Sequence, residues 1–121
     1  MTVRTADTDD LLAVMRLLDA ANLATDARSV EARLAEGTIL VAGDPPAGAL
    51  VARPVESGAH IEAVAVRNAR RGQGLGSALV GAAADRWGRL TAEFDPSVRP
   101  FYESLDFDIR PAEDGRLWGR R

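Results

Sequence analysis

The spacing of apolar residues changes period several times along the chain, and each change marks an element. Leu11, Val14, Met15 and Leu18 recur at helical spacing behind Thr8-Asp9-Asp10. Acidic residues favour a helix N-terminus, so a first helix is expected to start at Asp7 or Thr8. Val30 and Leu34 repeat that spacing after Asp26, a capping residue, with Gly37 fitting the end of a second helix. Val3–Ala6, Thr38–Ala42, Ala49–Val55 and Ala59–Val66 read as strands, the last three separated by turns at Asp44-Pro45-Pro46-Ala47-Gly48 and Glu56-Ser57-Gly58. Leu75, Ala78, Leu79, Ala82 and Ala83 then form the apolar face of a helix from about Gly74 to Trp87, with Gly88 at its C-terminal turn. Leu90–Phe94 is a further strand. A short helix follows over Ser97–Leu105, where Pro100 is tolerated in the first turn because those N–H groups lack helical partners. Phe107–Arg110 and Arg116–Trp118 close the chain as strands around Asp114-Gly115, a hairpin signal. The order β-α-α-β-β-β-α-β-α-β-β predicts an α/β (α+β) chain forming one domain over residues 1–121.

Composition narrows the function classes. A net charge of −3 supplies no global basic field for nucleic acid. No apolar run approaches the roughly 20 residues that span a bilayer, so no membrane association is expected. The chain has no cysteine, which excludes a disulfide framework and a thiol nucleophile. With no export leader at its start, a cytoplasmic location is expected. One histidine and no cysteine argue against a metal site.

The densest chemical signal runs from Val64 to Leu79. The apolar stretch Val64-Ala65-Val66 is followed by Arg70-Arg71, then Gly72-Gln73-Gly74-Leu75-Gly76-Ser77, and then the helix. Glycines at a helix start let an anion reach bare backbone N–H groups, and the helix dipole adds partial positive charge. Two adjacent arginines can pair with phosphate oxygens in a forked geometry. The segment therefore reads as a seat for a diphosphate. A P-loop is excluded because the chain contains no lysine. A dinucleotide fingerprint is excluded because Ser77 stands where its third glycine would be.

The pattern R-x-x-G-x-G from Arg71 through Gly74 to Gly76 resembles the acyl-CoA-binding motif of the GNAT (GCN5-related) N-acetyltransferase superfamily. Phe101-Tyr102-Glu103-Ser104-Leu105-Asp106-Phe107 is similar to that family's later F-Y-x-x-x-G-F segment, with Asp106 in place of the glycine. The element order also resembles the family's. Asp can enter the left-handed region more easily than most residues, so the turn at Asp106 can survive. The resemblance implies a central, mostly antiparallel mixed sheet with helices on both faces and a splayed central strand pair. It implies acetyl-CoA as cofactor and a primary amine of a small molecule or peptide as acceptor. Members of the family often form homodimers, and no residue here marks such an interface. A non-catalytic acyl-CoA sensor or complex subunit of the same fold is the alternative.

Acyl transfer to an amine needs a neutral amine, a donor for the oxyanion and a proton for the departing thiolate. In the resembled family the amine attacks directly. By that resemblance, backbone groups of Val64 and Val66 pair with the pantetheine arm. The amides between residues 71 and 77, from Gly72, Gln73, Gly74, Leu75, Gly76 and Ser77, hold the pyrophosphate with Arg71 and Arg70. Tyr102, the only tyrosine, matches the residue that protonates the leaving sulfur. Asp95 stands where the family often has a cofactor-contacting asparagine, and it can equally cap the short helix. Glu62 is the leading candidate for the base, acting through water. Strand alternation predicts that it shares a face with His60, Val64 and Val66. His60, the sole histidine, or water alone are the other candidates for the base.

Overall fold

A computed structural model describes residues 2–21, 26–67 and 72–121. Seven strands form one sheet: β1 (Val3–Thr5), β2 (Ile39–Ala42), β3 (Gly48–Val55), β4 (Gly58–Val66), β5 (Arg89–Phe94), β6 (Asp108–Pro111) and β7 (Leu117–Arg120). Their order is β1-β2-β3-β4-β5-β7-β6. Every neighbouring pair is antiparallel except β4 and β5, which run parallel. Among the described residues four α-helices accompany it: α1 (Leu11–Ala20), α2 (Ala27–Glu36), α3 (Leu75–Trp87) and α4 (Arg99–Ser104). The mixed, mostly antiparallel sheet is the one the sequence resemblance implies.

Local chemistry sets the helix ends. Asp7 accepts from the Asp9 amide and Asp10 accepts from the Asp7 amide, so a capped 3-10 turn over Thr8–Asp10 precedes α1. Arg4 grips the Asp10 carboxylate with both terminal nitrogens at 2.8 and 2.9 Å, and this holds the Asp10 carboxyl below its ordinary range. Asp26 accepts from the Ser29 amide to cap α2, which Gly37 ends in the left-handed conformation, both as expected. Asp106 is left-handed too, at φ 64°, so the turn before Phe107 survives the replaced glycine. The closing strands lie one to two residues later than expected. Pro111 is accommodated in β6 because that strand is the sheet edge.

Two apolar layers cover the sheet. On one face α1 and α2 bury Val14, Leu17, Leu18, Val30 and Leu34 against Val41, Ala49, Val51, Ala63 and Ala65. On the other, α3 buries Leu75, Leu79, Val80 and Ala83 against Leu50, Ile61, Leu90 and Phe94. Full burial of each leucine is worth roughly 1.5–3 kcal/mol. The buried face of α3 is turned from the expected one: Gly76 and Val80 are buried, whereas Ala78 and Ala82 are only partly so. The aromatic ring of Phe101, from α4, lies against Gly76 and draws that side of the helix inward.

Candidate active site

The parallel contact between β4 and β5 is short. It runs from Gly58 opposite Arg89 to Ile61 opposite Ala92 and goes no further, although β4 continues to Val66. Beyond Ile61 the ladder stops, and among the described residues no strand pairs with the β5-facing edge of β4 from Glu62 to Ala65. β5 itself continues past Ala92, still paired with β7, and ends at Phe94. Asp95 then accepts from the Ser97 amide at 2.8 Å, and Pro96 begins a 3-10 turn without a ladder donor. Asp95 is exposed, and this cap holds its carboxyl below the ordinary value. This is the capping role expected of it.

A β-bulge sits where the pairing stops. Val51 pairs with Ala63 and Ala52 pairs with Ile61, so Glu62 is an extra residue on β4. This overturns the expected common face of His60, Glu62, Val64 and Val66. The bulge reverses the alternation, so Ile61 and Val64 pack with α3 while Ala63 and Ala65 pack with α1 and α2. His60 and Glu62 lie on the α1/α2 face, and Val64 and Val66 turn their side chains to the α3 face. The backbone follows its own alternation. The Arg67 amide donates to the carbonyl of Ala47, just before β3, so the alternation turns the peptide group of Val64 away from β3, toward the opening.

The glycine turn stands beside that opening. Gly72 and Gly74 have φ 79° and 81°, and a side chain at either would meet no atom of the described residues within 4 Å. Both are therefore there for the backbone path. Gly74 begins α3 with no side-chain cap, and the first helical bond is from Ala78 to the Gly74 carbonyl. Among the described residues no side chain caps the start of α3, the arrangement an anion seat uses. Gly76 has a different reason: a Cβ there would stand 2.8 Å from Phe101 Cε1. Arg70 and Arg71 lie outside the described residues.

Tyr102 packs on the α3 side of the opening. Its ring stacks on Phe94 at 4.1 Å and meets Phe101 and Phe107 edge-on at 5.0 and 5.1 Å. Phe94 is the last residue of β5, so this aromatic cluster borders the opening. Burial pushes the phenol up to about 12, which keeps it protonated at neutral pH.

The opposite face is charged. Glu62 receives Arg33 Nε on Oε1 at 3.0 Å, and Arg53 Nε lies 3.7 Å from its Oε2. His60 sits between Arg53 and Thr91 on the neighbouring strands. Its Nδ1 is 2.8 Å from Thr91 Oγ1, and its ring stacks on Trp118 at 5.4 Å. Burial, then the Arg53 charge, lowers its pKa; the Glu62 and Glu93 carboxylates oppose this. Arg33, Arg53, Thr91 and Trp118 were absent from the sequence-derived site. Period-two parity on β3 could have placed Arg53 on the Val51 face, but the remaining three come from elements far apart in sequence.

A family model described as an acetyltransferase (GNAT) domain matches residues 35–109. No curated protein matches the sequence. Several solved structures share the fold. The ribosomal-protein-S18-alanine N-acetyltransferase from Escherichia coli superposes with a TM-score of 0.77 at 21% identity, covering 98% of this chain and 90% of that one. Naa50 from Arabidopsis thaliana, in complex with the bisubstrate analogue CoA-Ac-MVNAL, gives a TM-score of 0.78 at 17% identity, with 98% and 95% covered. Rv2747 from Mycobacterium tuberculosis, in complex with CoA and NLQ, gives 0.77 at 22% identity, with 94% and 75% covered. At these identities the likeness is one of fold.

Proposed function

The chain belongs to the GNAT acetyltransferase family, and on that premise we propose that it moves an acetyl group from acetyl-CoA to a primary amine of a small molecule or peptide by direct attack. The observation that carries this reading is the edge of β4 from Glu62 to Ala65, which no described strand covers, beside the start of α3, which no described side chain caps. The two features offer backbone groups for an extended amide arm and for a diphosphate, and no described atom lies within 4 Å of the Gly72 and Gly74 Cβ positions. The CoA-bearing complexes of the Arabidopsis and Mycobacterium relatives support the same cofactor. The E. coli relative's alanine N-acetylation and the peptide part of the Arabidopsis analogue support an amine acceptor.

When bound, acetyl-CoA supplies the activated acyl group and a thiolate leaving group. The amides of residues 72–77 hold the pyrophosphate, joined by Arg70 and Arg71. Val64 and Val66 align the arm, Val64 through its outward-facing peptide group. Tyr102 donates the proton to sulfur; a buried phenol that stays protonated well above neutral pH is suited to that task. Glu62 takes the amine proton through water on the α1/α2 face, where Arg33 and Arg53 fix its orientation. The neutral state of His60 favours a second assignment for the base, since a half-buried imidazole with lowered pKa is ready to accept a proton.

A thiol-release assay with acetyl-CoA and an amine panel tests the proposal. Turnover on at least one primary amine is the expected result. Coenzyme uptake without release on any amine would instead assign the chain to acyl-CoA sensing. In a pH–rate profile, the acidic limb should disappear in whichever of Glu62→Gln and His60→Gln removes the base.

A further inference from the structure

We propose that Thr91 positions the base: by holding Nδ1 of His60 it leaves Nε2 to take the amine proton. The inference rests on the acyl-transfer reading and decides between its two candidate bases.

The sheet register sets the parts in one row. Arg53 on β3 lies opposite His60, His60 opposite Thr91, and Thr91 opposite Arg120 on β7. His60 is one residue short of Ile61, where pairing with β5 ends, so it stands beside the unpaired stretch on the α1/α2 face. Two contacts fix its ring. Thr91 Oγ1 lies 2.8 Å from Nδ1 and decides which ring edge meets β5. The Trp118 indole stacks on the imidazole with centroids 5.4 Å apart and planes at 22°, which holds the ring plane. Among the described residues Nε2 has no hydrogen-bond partner, and the Thr91 hydroxyl has none besides Nδ1.

The charges around the ring keep it neutral. Arg53 faces it from β3, and Arg120 stands beyond Thr91. Glu62 on β4 and Glu93 on β5 oppose them, but Glu62 is engaged by Arg33 and Arg53, and Glu93 by Arg116. Burial, then Arg53, lowers the His60 pKa from its ordinary 6.5. Glu62 is a poorer place for a proton. Arg33 reaches both of its oxygens, at 3.0 and 3.5 Å, and Arg53 Nε lies 3.7 Å away. Protonation there would forfeit these ion pairs, whereas Nε2 has none to lose.

The protons balance. A bound R–NH3+ gives one proton to Nε2, and the freed lone pair forms the C–N bond as the C–S bond breaks. Tyr102 protonates the departing sulfur, and a second proton, shed by the new amide nitrogen, restores the phenol. His60 then releases its proton to solvent. Throughout, Nδ1–H donates to Thr91 Oγ1, and this bond stabilises the imidazolium as it forms.

The test uses the full chain. His60 is the only histidine, so long-range nitrogen–proton NMR correlations report its tautomer alone. Above its midpoint the Nδ1–H form is expected, with Nε2 bare. Thr91→Val removes the acceptor and nearly keeps the shape. With one amine throughout, kcat/KM of this variant should fall about tenfold, and the His60 midpoint followed by NMR should drop by about one pH unit, the scale of one charge-assisted hydrogen bond. Its thermal midpoint and acetyl-CoA affinity should stay near those of the parent, and Thr91→Ser should restore both losses. An Nε2–H tautomer, or parental kcat/KM in Thr91→Val, overturns the positioning role and leaves acyl transfer standing. A loss that Thr91→Ser fails to restore also overturns it, as the mark of a packing defect. Turnover on no amine by the unaltered protein contradicts the acyl-transfer reading and removes the base with it.

Discussion

The two halves of β4 are built from similar small and branched residues, yet they do opposite things. From Gly58 to Ile61 the strand is paired on both sides, with β3 and with β5, and is structural. From Glu62 to Val66 it keeps β3 but is no longer paired with β5, and the outward peptide group of Val64 faces the gap. Nothing in Val64-Ala65-Val66 itself causes the change. It coincides with the bulge at Glu62, which re-aims every side chain after it, while β5 carries on to Phe94 paired with β7. A binding edge can thus be made by ending a ladder early.

Replacing Tyr102 with phenylalanine should affect the open half most. We expect kcat to fall about 100-fold, within the usual range for loss of a general acid, while acetyl-CoA affinity and thermal stability stay near those of the parent. Steady-state kinetics with calorimetry checks this, and unchanged turnover would remove the proton-donor role. Next in size is Gly76→Ala, which pushes a methyl group toward Phe101 and should destabilise the fold by about 1–3 kcal/mol in chemical denaturation. Gly72→Ala meets no described atom within 4 Å, so its cost should be limited to about 1–2 kcal/mol of left-handed strain. If Gly76→Ala loses no stability, the packing role given to Gly76 is wrong.

Smaller effects concern ionisation. Tyr102 is the only tyrosine, so ultraviolet titration reads it alone; its midpoint should lie near 12 in the folded protein, and a value near 10 would show an exposed ring. His60 probes the paired half. Its folded-state pKa is below the ordinary 6.5, so its neutral form is favoured by folding. The stability it contributes is present above pH 6.5 and is lost as pH falls from there through the lowered folded value. Thermal midpoints of His60→Gln should therefore decline less steeply with acidification than those of the parent. Parallel declines would place the imidazole in an unperturbed setting.

Much of this was readable before any coordinates. The helix caps at Asp26 and Gly37 and the strand pattern are local signals, and local chemistry decides them. The left-handed backbone of Gly72 and Gly74 was legible for the same reason. Gly76 was not, because its constraint comes from Phe101, 25 positions away in the chain. The face of Glu62 was misread because one inserted residue reverses strand parity without any mark in the residue types. Its partnership with Arg33 is likewise a tertiary contact, made only once α2 lies on the sheet.

Amide hydrogen exchange at single residues, with and without coenzyme A, tests the central contrast most directly. The account predicts that Val64 and the leading residues of α3, Leu75 to Ser77, slow markedly on adding the coenzyme, while Ala59 to Ile61 keep their rates. Folded protein in which the coenzyme leaves residues 64 and 75–77 unprotected would contradict it.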